Sequence, residues 1–114
     1  MLIEKFEDII SWQKARELAV YIYRIFNVNR DYGFRDQIQR ATMSISNNIA
    51  EGFERKGNKE FKKFLYIAKG SSAEVRSMAY IASELEYISK EEFKTIYNQS
   101  LEISKLLSGL IKTL

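Results

Sequence analysis

Apolar residues recur at three- and four-residue steps along most of the chain, the period of helices that each bury one face. Ala15, Leu18, Ala19, Ile22, Ile25 and Phe26 form the first run and predict a helix over about residues 9–26. The mostly polar run 27–31, followed by Tyr32-Gly33, predicts a loop. Ile38, Ala41, Ile45 and Ile49 predict a second helix over 34–56. Arg55-Lys56-Gly57-Asn58 ends it, with Gly57 suited to the left-handed position past a helix end and Asn58 to the next N-cap. A third helix is expected over 59–88, roughly 45 Å long. Ser89-Lys90-Glu91-Glu92 has the form of a capping box and opens a fourth over 90–112, burying Phe93, Ile96, Ile103, Leu107 and Leu110. Strand-period alternation is sustained nowhere. The pattern predicts an all-α, up-down-up-down antiparallel four-helix bundle, a single domain over 1–114.

Short turns also set which residues share a level. Hinging helices 2 and 3 at Gly57 puts Arg40 opposite Glu74 and Ser44 opposite Gly70. Hinging helices 1 and 2 near Arg30 puts Ala19 beside Ala41, and Trp12 beside Asn48 as an acceptor for its indole N–H. Arg40, Ser44, Asn47, Asn48 and Glu51 cluster on helix 2 at helical spacing. With Glu74 they fit a structural polar layer that fixes register better than they fit a ligand pocket.

Composition narrows the chemistry sharply. The 114 residues include no Cys, no His and no Pro. Disulfides, Cys/His zinc sites, Cys nucleophiles and His bases are excluded. The di-iron pattern of helical bundles requires Glu-x-x-His pairs and cannot be completed. No metal, cofactor or enzymatic activity is expected. The longest run without a charged residue is Ala41 to Ala50, too short to cross a bilayer. The first residues lack the order of a signal peptide, so a soluble, cytoplasmic protein is expected.

Charge is unevenly placed. The net charge is only +3. Between Arg55 and Arg76, however, seven basic residues (Arg55, Lys56, Lys59, Lys62, Lys63, Lys69, Arg76) stand against Glu60 and Glu74. Lys62, Lys69 and Arg76 are seven apart and share a stripe, with Lys59 and Tyr66 beside it. Spaced cations can track phosphates and a tyrosine among them can stack on a base. The same residues suit an ordinary solvated lysine face, which the sequence alone favours. Helix 3 has two apolar seams, one through Phe61, Leu65, Ala68, Ser72, Val75 and Ala79. The second, through Phe64, Ile67, Met78, Ile81 and Leu85, suits a subunit interface and a second helix neighbour equally.

Three segments carry a family resemblance. They are Trp12, Ala15 and Leu18 with Tyr32-Gly33-Phe34; the run from Gln37-Ile38-Gln39-Arg40 through Asn47-Asn48-Ile49-Ala50-Glu51-Gly52; and Lys59-Glu60-Phe61 with Phe64-Leu65-Tyr66-Ile67-Ala68-Lys69-Gly70-Ser71 and Glu74. Over residues 6 to about 110 the chain resembles the four-helix bundle protein family, also called the 23S rRNA intervening-sequence protein family. The resemblance implies a homopentameric ring around a central channel, with no established enzymatic activity. A related branch, the accessory variability proteins of diversity-generating retroelements, binds nucleic acid and a reverse transcriptase. Ser46 stands where similar members usually have proline. Gln39 stands where a second arginine often precedes Arg40, and the retroelement branch is more basic. These readings point to a non-enzymatic, oligomeric nucleic-acid-binding protein acting on RNA. The alternative is a protein-interaction scaffold or accessory subunit.

Overall fold

A computed structural model describes residues 3–114. A 3-10 turn, Phe6–Asp8, leads into four helices: α1 (Ile10–Phe26), α2 (Tyr32–Glu54), α3 (Asn58–Glu84) and α4 (Lys90–Lys112). Each helix packs on its sequence neighbours and α1 closes against α4. The result is a four-helix bundle measuring 43 × 22 × 19 Å. Its long dimension is about the length of α3 at 1.5 Å per residue.

The helix ends show what the spacing alone does not contain. The Asp31 carboxylate accepts from the Phe34 amide at 3.2 Å, so α2 begins at Tyr32, before the expected 34. That helix stops at Glu54, and α3 starts at Asn58 with Gly57 as its N-cap. Asn58 is therefore helical and caps nothing through its side chain. Gly57 has φ +84 and ψ 155, a backbone state open chiefly to glycine. α3 ends at Glu84, four residues short of Ile88. The Tyr87 amide donates to the Ala82 carbonyl at 2.8 Å and the Glu86 amide to Ser83 at 3.0 Å. This is a Schellman closure with Glu86, at φ +59, in the position glycine usually takes. With no glycine there, the sequence carries no signal for the stop. The capping box at Ser89 forms with both of its hydrogen bonds.

The core follows the helical period. Leu18, Ile22, Phe26, Ile38, Ile45, Ile49, Leu65, Val75, Ile96, Ile103 and Leu107 are fully buried. Phe93 and Leu110 are only half-buried and pack against the edge of this core. Serines join the helices: Ser71 Oγ donates to Ser44 Oγ at 2.9 Å, and Ser72 Oγ to the Ser100 carbonyl at 2.7 Å. At Gly52, a Cβ would sit 2.5 Å from the Cβ of Phe64. The missing side chain lets α2 and α3 close together, beside the edge-to-face pair Phe53 and Phe61. Among the described residues no helix is long and apolar enough to cross a membrane.

Candidate nucleic-acid interface

α3 packs on α2 along one flank and on α4 along the other, which leaves its outer surface free to carry chemistry. At 100° per residue, Lys62, Tyr66, Lys69, Ala73, Arg76 and Tyr80 lie within one narrow stripe on the α4 flank. Lys62, Lys69 and Arg76 are half-buried, while Tyr66 and Tyr80 are 58% and 52% exposed. Long cationic side chains that lay their methylenes along a helix keep the charge at the surface with part of their freedom already restricted. Among the described residues none of these three cations has an acidic partner within 4.0 Å.

The other basic residues divide. Lys56 and Lys59 are exposed at the α2–α3 turn and are likewise unpaired among the described residues. Arg55 is held by Glu51 at 3.1 Å and lies over the Phe64 ring, 5.0 Å from its centre. Lys63 faces Glu60 at 3.7 Å. Two of the seven cations are thus partly neutralised. The remaining five make a basic ridge from the α2–α3 turn to the middle of α3.

Sequence spacing does not reveal the aromatic end of that ridge. Tyr80 meets Phe93 edge to face at 5.0 Å and Tyr97 at 6.1 Å, and the last two stack at 5.9 Å. The bond from Ser72 to Ser100 sets the level of the α3–α4 pair and puts Arg76 opposite the Tyr97 turn. Arg76 Nη1 is closed off from solvent and meets no acceptor among the described residues. The heptad spacing of Tyr66, Ala73 and Tyr80 is a signal the sequence does hold. The α4 partners are not legible there, because they require the hairpin register.

The expected polar layer is rearranged. Arg40 and Glu74 are both exposed and form no ion pair. Glu74 instead receives a long 3.5 Å bond from Gln37. Arg40 points outward because it lies about 160° around α2 from Ile38, which is buried. Glu51 is taken by Arg55. Ser44 meets Ser71, while Gly70 is exposed with open space around it. Asn48 donates to the Ser44 carbonyl at 2.7 Å and to Ser44 Oγ at 2.9 Å. Trp12 packs edge to face on Phe6 and under Arg16, and among the described residues it makes no hydrogen bond to Asn48. The buried and part-buried hydrogen bonds between helices, among the described residues, are therefore made by serines. Within the second apolar seam, Met78 is buried and Phe64 half-buried, but Ile67, Ile81 and Leu85 are each about half exposed. These three lie about 130° around α3 from the cation stripe.

The family model of the 23S rRNA-intervening sequence protein matches residues 7–109. No curated protein matches the chain significantly. Among solved structures, a protein of unknown function from the S23 ribosomal protein family of Bacteroides thetaiotaomicron is 32% identical. It superposes with a TM-score of 0.84 over 90% of this chain and 99% of that one.

Proposed function

The chain belongs to the 23S rRNA-intervening sequence protein family, and from that premise we propose that it is a non-enzymatic, self-assembling protein that binds RNA. The observation that carries the reading is the ridge of Lys56, Lys59, Lys62, Lys69 and Arg76, which has no acidic partner among the described residues. Unpaired cations along one helix neutralise phosphates and release the ions condensed on them. The absence of Cys and His supports a binding role over a catalytic one.

Self-assembly is supported by Ile67, Ile81 and Leu85, an apolar stripe that a small protein gains by covering. In a homopentamer the ridge would be repeated five times, so one long RNA could engage several copies with increased avidity. The stripe and the ridge occupy different flanks of α3, so the two roles are compatible. The second reading, a scaffold for a protein partner such as a polymerase, uses the same apolar stripe and needs no phosphate contact.

Electrophoretic mobility shift with a structured RNA in low salt tests the proposal. The wild-type protein is expected to retard the RNA, and the Lys62→Gln, Lys69→Gln, Arg76→Gln triple variant to do so much more weakly. No retardation of either a structured or an unstructured RNA by the wild-type protein overturns the reading.

A further inference from the structure

Aromatic groups stand beside the cations of α3 and narrow the class of ligand. Tyr80 extends from α3 one turn beyond Arg76 and is half exposed, with Phe93 and Tyr97 of α4 supporting it from behind. Three rings in mutual contact form a platform whose position is fixed by both helices. Tyr66, 58% exposed, repeats the motif two heptads earlier between Lys62 and Lys69. Three cations and two tyrosines thus share a stripe about 27 Å long on α3, from Lys62 to Tyr80, with Ala73 between Lys69 and Arg76.

The α4 side of this stripe carries no acidic residue, and the charged residue in line with it, Lys90, is a cation. Phe93, Tyr97, Leu101, Ser104 and Ser108 share the face of α4 that meets α3, and none carries charge. An anionic chain lying along the stripe therefore meets no repulsion from that side. Arg76 sits between the two chemistries. Its Nη1 is buried with no acceptor among the described residues, which leaves one guanidinium donor unpaired in the free protein. A planar guanidinium presents several donors and is more weakly hydrated than an ammonium, which suits it to phosphate oxygens.

We infer that the α3–α4 face binds single-stranded nucleic acid, with phosphates on Lys62, Lys69 and Arg76 and unstacked bases on Tyr66 and Tyr80. The inference rests on the RNA-binding reading and adds the conformational class of the ligand. A duplex keeps its bases paired and stacked, so its backbone could use the cations but not the rings. A single strand uses both. Its bases need not be of one kind, since every base has a face to stack.

Fluorescence anisotropy with an unstructured, end-labelled 16-nucleotide RNA, alone and annealed to its complement, separates the possibilities. The wild-type protein is expected to bind the single strand at least tenfold more tightly than the duplex at equal salt. Tyr80→Leu is expected to weaken single-strand binding by about five- to 150-fold, with little change for the duplex and none in the salt slope. Tyr80→Trp, which keeps a ring, restores single-strand binding, and thermal melting checks that each variant is folded. Lys62→Gln with Lys69→Gln weakens both ligands. Equal wild-type affinities, or a Tyr80→Leu protein that is folded and binds the single strand normally, overturns the inference. If the lysine variants still weaken binding in that case, the RNA-binding reading survives alone. If the wild-type protein binds neither ligand, both fall.

Discussion

The Tyr87 hydroxyl donates a 2.6 Å hydrogen bond to the Asp31 carboxylate, joining the α1–α2 turn to the α3–α4 turn at one end of the bundle. Asp31 simultaneously caps α2 through the Phe34 amide. One exposed side chain thus fixes a helix start and holds two loops together.

This arrangement predicts a pH dependence. The Tyr87 hydrogen bond, then the Phe34 N–H, lowers the Asp31 pKa from its ordinary 3.8. Its stabilisation is complete above that ordinary value and disappears as pH falls through the lower folded one. Tyr87 is shifted the other way, above 10.0, by its bond to Asp31. Its contribution is complete below that value and disappears as pH rises through the higher folded one. Thermal melts of the wild type and Asp31→Asn should differ at neutral pH, with the variant less stable. The gap should narrow as pH falls below the ordinary 3.8 and close as pH passes through the lower folded value. A gap independent of pH on the acid side would contradict this role for the carboxylate.

Two glycines on facing helices should respond oppositely to alanine. At Gly52 a new Cβ meets the Phe64 Cβ at 2.5 Å, and the backbones must separate. Gly52→Ala is expected to cost about 1–3 kcal/mol, as overpacking does. Gly70 lies inside α3 with nothing within 4 Å of such a Cβ. Gly70→Ala is expected to stabilise by about 0.5–1 kcal/mol, the usual helix-propensity gain. Urea midpoints of the two variants measure both signs.

The four helices are legible in the sequence because each buries a regular apolar face, which spacing records directly. The α2–α3 register is legible within a residue or two: Ser44 is expected opposite Gly70 and bonds to Ser71. The rotation of side chains about each axis is not. Arg40 and Glu74 share roughly one level, yet both turn outward, and a level alone does not determine facing. The Tyr80–Phe93–Tyr97 platform escapes for the complementary reason, since it needs packing across a second hairpin. The stop at Glu84 escapes because a glutamate, Glu86, holds the left-handed position.

The outward turn of Glu74 changes what its mutation should do. Because Glu74 is exposed and unpaired by any arginine among the described residues, Glu74→Ala is expected to alter stability by no more than about 0.5 kcal/mol. Ser72→Ala removes a buried bond to the Ser100 carbonyl and is expected to cost about 1 kcal/mol. Chemical denaturation of the two variants ranks them. A greater destabilisation at Glu74 would instead point to an ion pair between Glu74 and Arg40, the residue expected at its level.

Assembly is open to a direct mass measurement. Light scattering coupled to size exclusion is expected to give about five times the 13.4 kDa chain. Ile67→Lys with Ile81→Lys should shift that mass toward the monomer while leaving helical content intact. A monomer mass for the wild type across micromolar concentrations would contradict self-assembly.

Phosphate binding by the α3 cations is tested most directly by the salt dependence of RNA affinity. Affinity should fall linearly on a plot of log K against log salt for the wild-type protein. Replacing Lys62, Lys69 and Arg76 with Gln should reduce the magnitude of that slope by about 0.7 to 0.9 for each phosphate no longer neutralised. A triple variant that is folded and shows the wild-type slope would contradict phosphate binding by these residues and leave the ridge as a solvated face.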